Sequence, residues 1–172
     1  MNQPLVYATT NSSKFKQACL VLDPIPLKQV SLEVQEIQGS PEQVLQAKTA
    51  SIASQISEPF LVEDVSLGFD GLNGFPGPYI KDMLKVLGVQ KTYELSVKLG
   101  DPRVTITCHV AYQKPGLPPI IGTGTIHGQF VTPTQNVHRD KDSYNPIFLP
   151  EGSQQTFGEM SLEQHTRISH RY

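Results

Sequence analysis

Two adjacent acids, Glu63 and Asp64, follow an apolar run at residues 60–62 and precede a Gly- and Pro-rich segment that leads to Lys81. Magnesium prefers hard oxygen ligands and is usually held by carboxylates together with the phosphates of a substrate. Exposed backbone N–H groups and a nearby cation suit those phosphates. The pattern predicts a metal and phosphate site, and the alternative is a surface turn with a solvated acid pair.

A second polar segment contains Thr9, Asn11 and Lys14 and follows an apolar strand predicted at residues 5–9. Asn11 is a good N-cap residue, so a helix is expected to begin directly after it. Backbone N–H groups at a helix start favour anions, and Lys14 adds a positive charge in the first turn. The segment predicts a phosphate contact, and the alternative is an ordinary N-cap with an exposed lysine.

The elements that position these residues alternate along the chain. A helix is expected near Ser40, where Pro41 takes the first helical position and Gln43 completes a capping box. Gly88 is expected to stop a helix that begins at Tyr79. The linker at residues 114–119 separates two β-rich runs, which predicts a long hairpin and a mixed α/β fold. Strands are predicted at residues 27–30, 60–62, 103–113 and 120–131, and a further helix at residues 92–99.

Length and composition suit a single enzyme domain, because 172 residues can bury a substantial core. Charge is nearly balanced, with 14 Lys and Arg residues against 16 Asp and Glu residues. The sequence shows no basic stripe, so a mononucleotide is a better partner than a nucleic acid or a membrane surface. Cys19 and Cys108 lack metal or redox spacing and are expected to be reduced and buried. The start of the chain shows no leader or membrane segment, so a cytoplasmic protein is expected.

Three motifs stand in the order of a known family: Thr9 to Lys14, the block from Glu63 to Lys81, and Ser169-His170-Arg171. From Leu5 to Arg171 the chain resembles the inosine triphosphate pyrophosphatase family, also called Ham1 or RdgB-like. The block from Glu63 to Lys81 is close to the eukaryotic form of the family signature. This resemblance implies hydrolysis of aberrant purine nucleoside triphosphates to the monophosphate and pyrophosphate.

The resemblance also implies an architecture and an assembly. The fold would be one α/β domain over residues 1–172, elongated, with two lobes around a long mixed sheet flanked by helices and the nucleotide in the cleft between the lobes. The protein would be a homodimer. The sequence ends at Tyr172, where relatives continue through a further helix, so that helix is expected either to be absent or to belong to a longer form of the chain.

Site roles carried over from the resemblance fall on matching positions of this chain. Asp64 would act at the metal and the attacking water, and the metal would be Mg²⁺, with Mn²⁺ as an alternative. As isolated residues, Glu36, Lys48 and Lys81 would each be ordinary solvated side chains. The expected metal ligands are Glu36, Glu63 and Asp64, and the expected phosphate-binding residues are Thr9, Asn11, Lys14, Lys48 and Lys81.

Base recognition is where the chain departs from the family. Asp142 and Asn145 replace an aromatic residue and an aspartate of the usual motif, and His165 stands where a lysine is expected. These changes keep a second hypothesis open, a family-derived nucleotide-binding or interaction protein with weakened catalysis. The residues expected to contact the base or the substrate on this side are Tyr144, Asn145, His165, His170 and Arg171.

Overall fold

A computed structural model describes residues 3–34, 37–138 and 140–172 of the chain. Its contacts divide the protein into two compact units. The first unit comprises residues 1–65, 108–124 and 171, and the second comprises residues 66–107, 125–170 and 172. The strands are β1 Leu5–Ala8, β2 Leu27–Val30, β3 Phe60–Phe69, β4 Pro76–Gly77, β5 Arg103–Gln113, β6 Ile120–Phe130 and β7 Phe148–Pro150; the helices are α1 Ser12–Val21, α2 Pro41–Ala53, α3 Ile80–Lys98 and α4 Leu162–Ile168.

The described strands form one mixed sheet of seven strands in the order β2-β1-β3-β5-β6-β7, and β4 pairs with β3. β1 runs parallel to both β2 and β3, whereas the β3–β4 and β6–β7 pairs are antiparallel. This confirms the predicted mixed α/β class, and β5 and β6 are sheet neighbours as the hairpin prediction requires. The elongated shape and the cleft implied by the resemblance stay predictions.

The first unit is organised around a small apolar core. In β1 the side chain of Val6 is fully buried, and its Cα pairs in register with Phe60 of β3. Leu45 and Ile52 on the inner face of α2 belong to the same buried cluster. Burying aliphatic side chains of this size contributes about 1.5–3 kcal/mol each, so this cluster fixes α2 against β1 and β3.

Local sequence signals set the helix starts of the first unit as predicted. Asn11 caps α1, because its side chain accepts from the backbone N–H groups of Ser13 and Lys14. Ser40 and Gln43 form the predicted capping box of α2, with proline in the first turn. Each such cap satisfies helix-end N–H groups that no backbone carbonyl can reach.

The strand that carries the acids is longer than predicted. A charged pair after three apolar residues indicated a strand at residues 60–62, but β3 continues to Phe69. Glu63 and Asp64 therefore lie inside the strand, each with an exposed fraction of 7%. The prediction of a strand end at the acids was wrong because their charges are compensated by cations from other elements, which sequence neighbours do not reveal.

The second unit contains the break predicted at Gly88. This residue has φ 74° and ψ 168°, so the backbone leaves the helical conformation at Gly88. The residues on both sides of it are helical, and α3 therefore has a kink at this point. Gly68 in β3 is required for a different reason: a Cβ at this position would lie 2.4 Å from the backbone of Gly74. The core of this unit includes an edge-to-face pair of Phe69 and Phe130 with ring centroids 5.4 Å apart.

Two expectations about the whole chain can be compared with the described residues. Cys108 is buried as predicted, but Cys19 on α1 is only half-buried, because it lies at the edge of the buried helix face. Within the described ranges, every helix is too short or too polar to cross a membrane.

Candidate active site

The connection from β1 to α1 holds the first group of predicted residues. Thr9 Oγ1 accepts from the backbone N–H of Asn11 at 3.1 Å. Asn11 Oδ1 in turn accepts from the N–H groups of Ser13 and Lys14, at 2.9 and 3.1 Å. These bonds fix the turn and place Lys14 in the first turn of α1, where its ammonium group is directed back toward β3.

Glu63 in β3 is the centre of a buried polar cluster in the first unit. Its Oε1 lies 3.0 Å from Lys14 Nζ. Its Oε2 accepts from Tyr7 Oη at 2.6 Å. Arg171 donates through Nε to both carboxylate oxygens, at 3.1 and 2.8 Å, and through Nη2 to Oε1 at 2.7 Å. The two oxygens of one carboxylate thus receive donors from β1, α1 and the C-terminal segment.

The charges of this cluster determine its protonation. Burial alone would raise the pKa of Glu63, but the adjacent Lys14 and Arg171 charges outweigh it and hold that pKa well below its ordinary value. Burial, followed by the Glu63 charge, raises the pKa of Tyr7 far above that of a free tyrosine. The same causes raise the pKa of Cys108 to about 12. Glu63 is therefore an anion surrounded by protonated donors.

Arg171 is held on a second side by the first helix. Its Nη1 donates to Gln17 Oε1 at 2.8 Å. Gln17 has an exposed fraction of only 3%, so this bond satisfies a polar group on the buried face of α1. Arg171 was expected to contact a base; in this structure its guanidinium group is bound to Glu63 and Gln17.

Asp64 has its own cation. Lys48, in the second turn of α2, forms an ion pair with Asp64 Oδ1, and the two side chains are 16% and 10% exposed. Neighbouring residues on a strand point to opposite faces, so Glu63 and Asp64 are separated although they are adjacent in sequence. The structure therefore joins two of the predicted phosphate-binding lysines to the two predicted acids, one pair to each.

The three acids predicted to hold a metal differ in how well they suit one. Glu36 lies outside the described residues. Asp64 offers carboxylate oxygens, which are the hard ligands that Mg²⁺ prefers, and its Oδ1 is paired with Lys48. Both oxygens of Glu63 accept from protein donors, and its predicted role as a ligand stays a prediction. In the described ranges no group of three or more His, Cys, Asp or Glu side chains is arranged to hold a metal ion.

Lys81 belongs to the second unit. It is the second residue of α3 and is exposed. Both its predicted phosphate role and the alternative of a surface lysine are compatible with that position, so the role stays a prediction.

The altered base-recognition segment also lies in the second unit. Tyr144 packs its ring edge-to-face on Phe148, with centroids 6.4 Å apart. Asn145 is buried, and its side-chain Nδ2 lies 3.5 Å from Asp140 Oδ2. The backbone carbonyl of Asn145 accepts from the backbone N–H of Gly158 at 2.8 Å. The side-chain amide of Asn145 therefore has a carboxylate neighbour, which the sequence did not indicate.

The two histidines predicted to contact substrate are both buried. His165 lies in the last turn of α4, and its ring centroid is 3.9 Å from that of Phe157, tilted by 34°. His170 is 3% exposed. A lysine at position 165 could extend to solvent, whereas the shorter histidine packs against the core.

Three residues of the Glu63 cluster were missed in the sequence: Tyr7, Gln17 and Cys108. A tyrosine in a buried strand carries one usable signal, since a buried phenol needs a hydrogen-bond partner. Gln17 carries no signal of this kind, because it stands outside the apolar spacing of α1 at residues 15, 18, 19 and 22. The Cys108 Sγ, 3.7 Å from Glu63 Oε2, has no such signal.

These features define an open mixed α/β protein whose first unit carries two acid–lysine pairs and an arginine bound to one of the acids, a charge arrangement suited to a polyphosphate. The chain belongs to the Ham1 family, whose model matches residues 5–172.

Two curated relatives show how far the similarity extends. The inosine triphosphate pyrophosphatase of Ajellomyces capsulatus is 36% identical over 168 residues, which are 96% of this chain and 89% of that protein. The inosine triphosphate pyrophosphatase of Tuber melanosporum is 35% identical over 175 residues, covering 100% of this chain and 92% of that protein.

Solved structures confirm the fold. A HAM1 protein from Coxiella burnetii has a TM-score of 0.82 at 22% identity and covers 99% of this chain and 93% of its own. The Staphylococcus aureus Ham1 protein has a TM-score of 0.79 at 20% identity and covers 98% of this chain and 92% of its own.

Proposed function

We propose that the protein hydrolyses aberrant purine nucleoside triphosphates, namely inosine, deoxyinosine and xanthosine triphosphate, to the monophosphate and pyrophosphate. The near full-length similarity to proteins named inosine triphosphate pyrophosphatase supports this substrate class. The observation that carries it structurally is the pairing of two lysines with two adjacent acids in one unit. Such cations suit a polyphosphate, and such an acid suits the activation of water.

Water would attack the α-phosphorus in line with the leaving pyrophosphate. Negative charge on the equatorial oxygens must then be offset, and positioned cations do this without reorganising at the moment of reaction. Lys14 and Lys48 are the lysines paired with the two acids, and Lys81 is proposed to bind phosphate as well. Thr9 and Asn11 would hold the turn from which Lys14 extends.

Asp64 would orient the attacking water and accept its proton. It is the less enclosed of the two acids, with a side chain 10% exposed against 4% for Glu63. A positioned general base contributes about 10²–10⁴-fold to a rate. Asp64 is therefore the catalytic residue of the proposal.

Of the three predicted metal ligands, Asp64 and Glu36 would hold Mg²⁺, or Mn²⁺ in its place, together with substrate phosphate oxygens. The Glu63 carboxylate already accepts from Lys14, Tyr7 and Arg171. The bound ion would polarise a phosphate oxygen and lower the pKa of a bound water. Tyr144, Asn145, His165, His170 and Arg171 are proposed to form contacts to the base or ribose side of the substrate.

A second candidate function is nucleotide binding with weakened catalysis. The burial of His165 against Phe157 favours it, because a cation expected from the family motif is replaced by a packed aromatic ring. Asp142 is exposed where the family has an aromatic residue, which removes a stacking surface worth about 1–3 kcal/mol per base.

The two candidates are separated by pyrophosphate release from a panel of purine and pyrimidine nucleoside triphosphates, each with and without Mg²⁺. Turnover of the 6-oxo purine nucleotides that needs the metal supports the first. Tight nucleotide binding by calorimetry without pyrophosphate release supports the second. Absence of both binding and turnover contradicts both candidates.

We further propose that the protein acts on free mononucleotides in the cytoplasm as a homodimer. The balanced charge favours small substrates over nucleic acid or membrane surfaces. Apolar side chains on α3 and on the hairpin support self-association, since Val86 is 81% and Ile120 is 70% exposed. Light scattering after size exclusion tests the dimer, and a monomer at micromolar concentration contradicts it.

A further inference from the structure

The carboxylate of Glu63 is fully used by protein donors. Its oxygens receive Lys14, Tyr7 and Arg171, with Arg171 bound in bidentate fashion. A carboxylate offers about four lone-pair sites, and these contacts occupy them. Mg²⁺ demands near-ideal octahedral geometry at short distance, so it would have to displace several of these charged bonds at once.

The charge balance around Glu63 also disfavours a free divalent cation. One carboxylate faces two cations, Lys14 and Arg171, so the three side chains together carry a formal charge of +1. A positive, weakly solvated cluster attracts phosphate and repels Mg²⁺. Asp64 differs, because one carboxylate faces one lysine and the pair is neutral.

Glu63 and Tyr7 fix the position of the arginine. Tyr7 Oη holds Oε2, and the carboxylate then matches the planar fork of Arg171 with two parallel N–H donors. Gln17 accepts from the remaining side of the guanidinium group at 2.8 Å. With Glu63 and Gln17 on two sides, the plane of Arg171 is set before any ligand arrives.

We propose that Glu63 is a positioning residue that holds Arg171 and Lys14 in place for the nucleotide, and that it does not coordinate the metal. The proposal rests on the function proposed above. The two adjacent acids then have different roles. Asp64 binds the metal and orients the water, and Glu63 holds the side chains of Lys14 and Arg171 in position. Pre-ordering these side chains reduces the entropy that nucleotide binding would otherwise cost.

The test compares Glu63→Gln, Asp64→Asn and the control Glu58→Gln, which alters an exposed carboxylate 4.0 Å from Lys28. Calorimetry gives the Kd of a non-hydrolysable inosine triphosphate analogue in EDTA and in saturating Mn²⁺. Glu63→Gln is expected to raise Kd about tenfold or more in both conditions, so that Mn²⁺ still tightens binding by the same factor as in wild type. In Asp64→Asn, Mn²⁺ is expected not to tighten binding. Glu58→Gln is expected to match wild type. The proposal is overturned if Glu63→Gln binds the analogue with normal Kd in EDTA but no longer binds it more tightly in Mn²⁺. It is also overturned if the Kd of Glu63→Gln is normal in both conditions.

Arg171 provides a second test if Glu63→Gln does not fold. Arg171→Ala is expected to raise Kd about tenfold, and millimolar guanidinium ion is expected to restore part of the loss because Glu63 and Gln17 bind it. Arg171→Lys is expected to fail, since an ammonium group lacks the planar fork. Full activity of Arg171→Lys, or no rescue by guanidinium, contradicts the positioning role. Wild-type pyrophosphate release is measured separately, so failure of the proposed function is distinguished from failure of these binding results.

Discussion

Lys48 and Asp64 form an ion pair between α2 and β3, and the two side chains are only 16% and 10% exposed. The neighbouring acid, Glu63, is paired with a different lysine, Lys14 from α1, at 3.0 Å. Each acid of the dipeptide is thus neutralised by a separate helix. If the lysines bind phosphate as proposed, the nucleotide would compete with the acids for the lysines, and a metal ion would compete with Lys48 for Asp64.

Asp64→Asn should reduce kcat by about 10²–10⁴-fold while the protein stays folded, because it removes the proposed base and a metal charge without changing size. The measurement is steady-state pyrophosphate release with inosine triphosphate, with circular dichroism to establish folding. Glu58→Gln serves as control. Near-normal release by a folded Asp64→Asn protein would sink the assignment of Asp64.

Lys48→Met should change metal and nucleotide binding in opposite directions. Without the ammonium group at Oδ1, Asp64 should bind Mn²⁺ about tenfold more tightly in the absence of nucleotide, while KM for the nucleotide should rise about tenfold. Mn²⁺ binding is followed by electron paramagnetic resonance. Lys28→Met, which alters a half-exposed lysine of the same unit, is the matched control. Changes in the same direction would show that Lys48 acts only through folding.

Glu63→Gln should cost about 3–5 kcal/mol of unfolding free energy at pH 7, because a buried ion pair loses one charge. The pairing with Lys14 and Arg171 lowers the pKa of Glu63 in the folded protein. The stabilisation that ionised Glu63 contributes is therefore fully present above its unfolded-state pKa of about 4.3, and it is lost as the pH falls through its lower folded-state pKa. Urea unfolding of both proteins from pH 7 to pH 3 measures the difference. A difference that stays constant down to pH 3 contradicts the ion-pair origin.

Cys108 should be unreactive in the native state, since burial raises its thiol pKa to about 12 and little thiolate exists at pH 8. Cys19 is half-buried and should react. Iodoacetamide labelling followed by mass spectrometry should therefore modify Cys19 first and reach Cys108 only after denaturation. Equal labelling of both residues in the folded protein is the contrary result.

Asn145 should discriminate between bases less strongly than an aspartate would. Its side-chain amide can both donate and accept a hydrogen bond, so it can satisfy either a 6-amino or a 6-oxo purine. We expect wild type to favour inosine over adenine nucleotides by less than about 100-fold in kcat/KM, or about 2.7 kcal/mol. Asn145→Asp should increase the preference for 6-oxo purines, since a carboxylate accepts only.

Asp140 lies close enough to Asn145 to require a control for that experiment, at 3.5 Å from its Nδ2. Two carboxylates at this distance repel each other, so Asp140→Asn is combined with Asn145→Asp to remove the repulsion. An unchanged preference in both the single and the double variant would mean that position 145 does not face the base.

Features that depend on near neighbours were predictable. The caps at Asn11 and Ser40 and the break at Gly88 follow from residue types within one helical turn, and all three occur as expected. The family motifs were equally visible, since they are contiguous. Side-chain chemistry and backbone propensity act over a few residues, so the sequence carries this information directly.

Tertiary structure alone decided which charges meet. Arg171 binds Glu63 across a separation of 108 residues, and it binds Gln17 across a separation of 154 residues. It also decided that β3 runs through the acids to Phe69, because cations from other elements offset charges that would otherwise end a strand. Such pairings arise when separate elements pack and exclude water, and the energy of a charge then depends on neighbours that no local pattern contains.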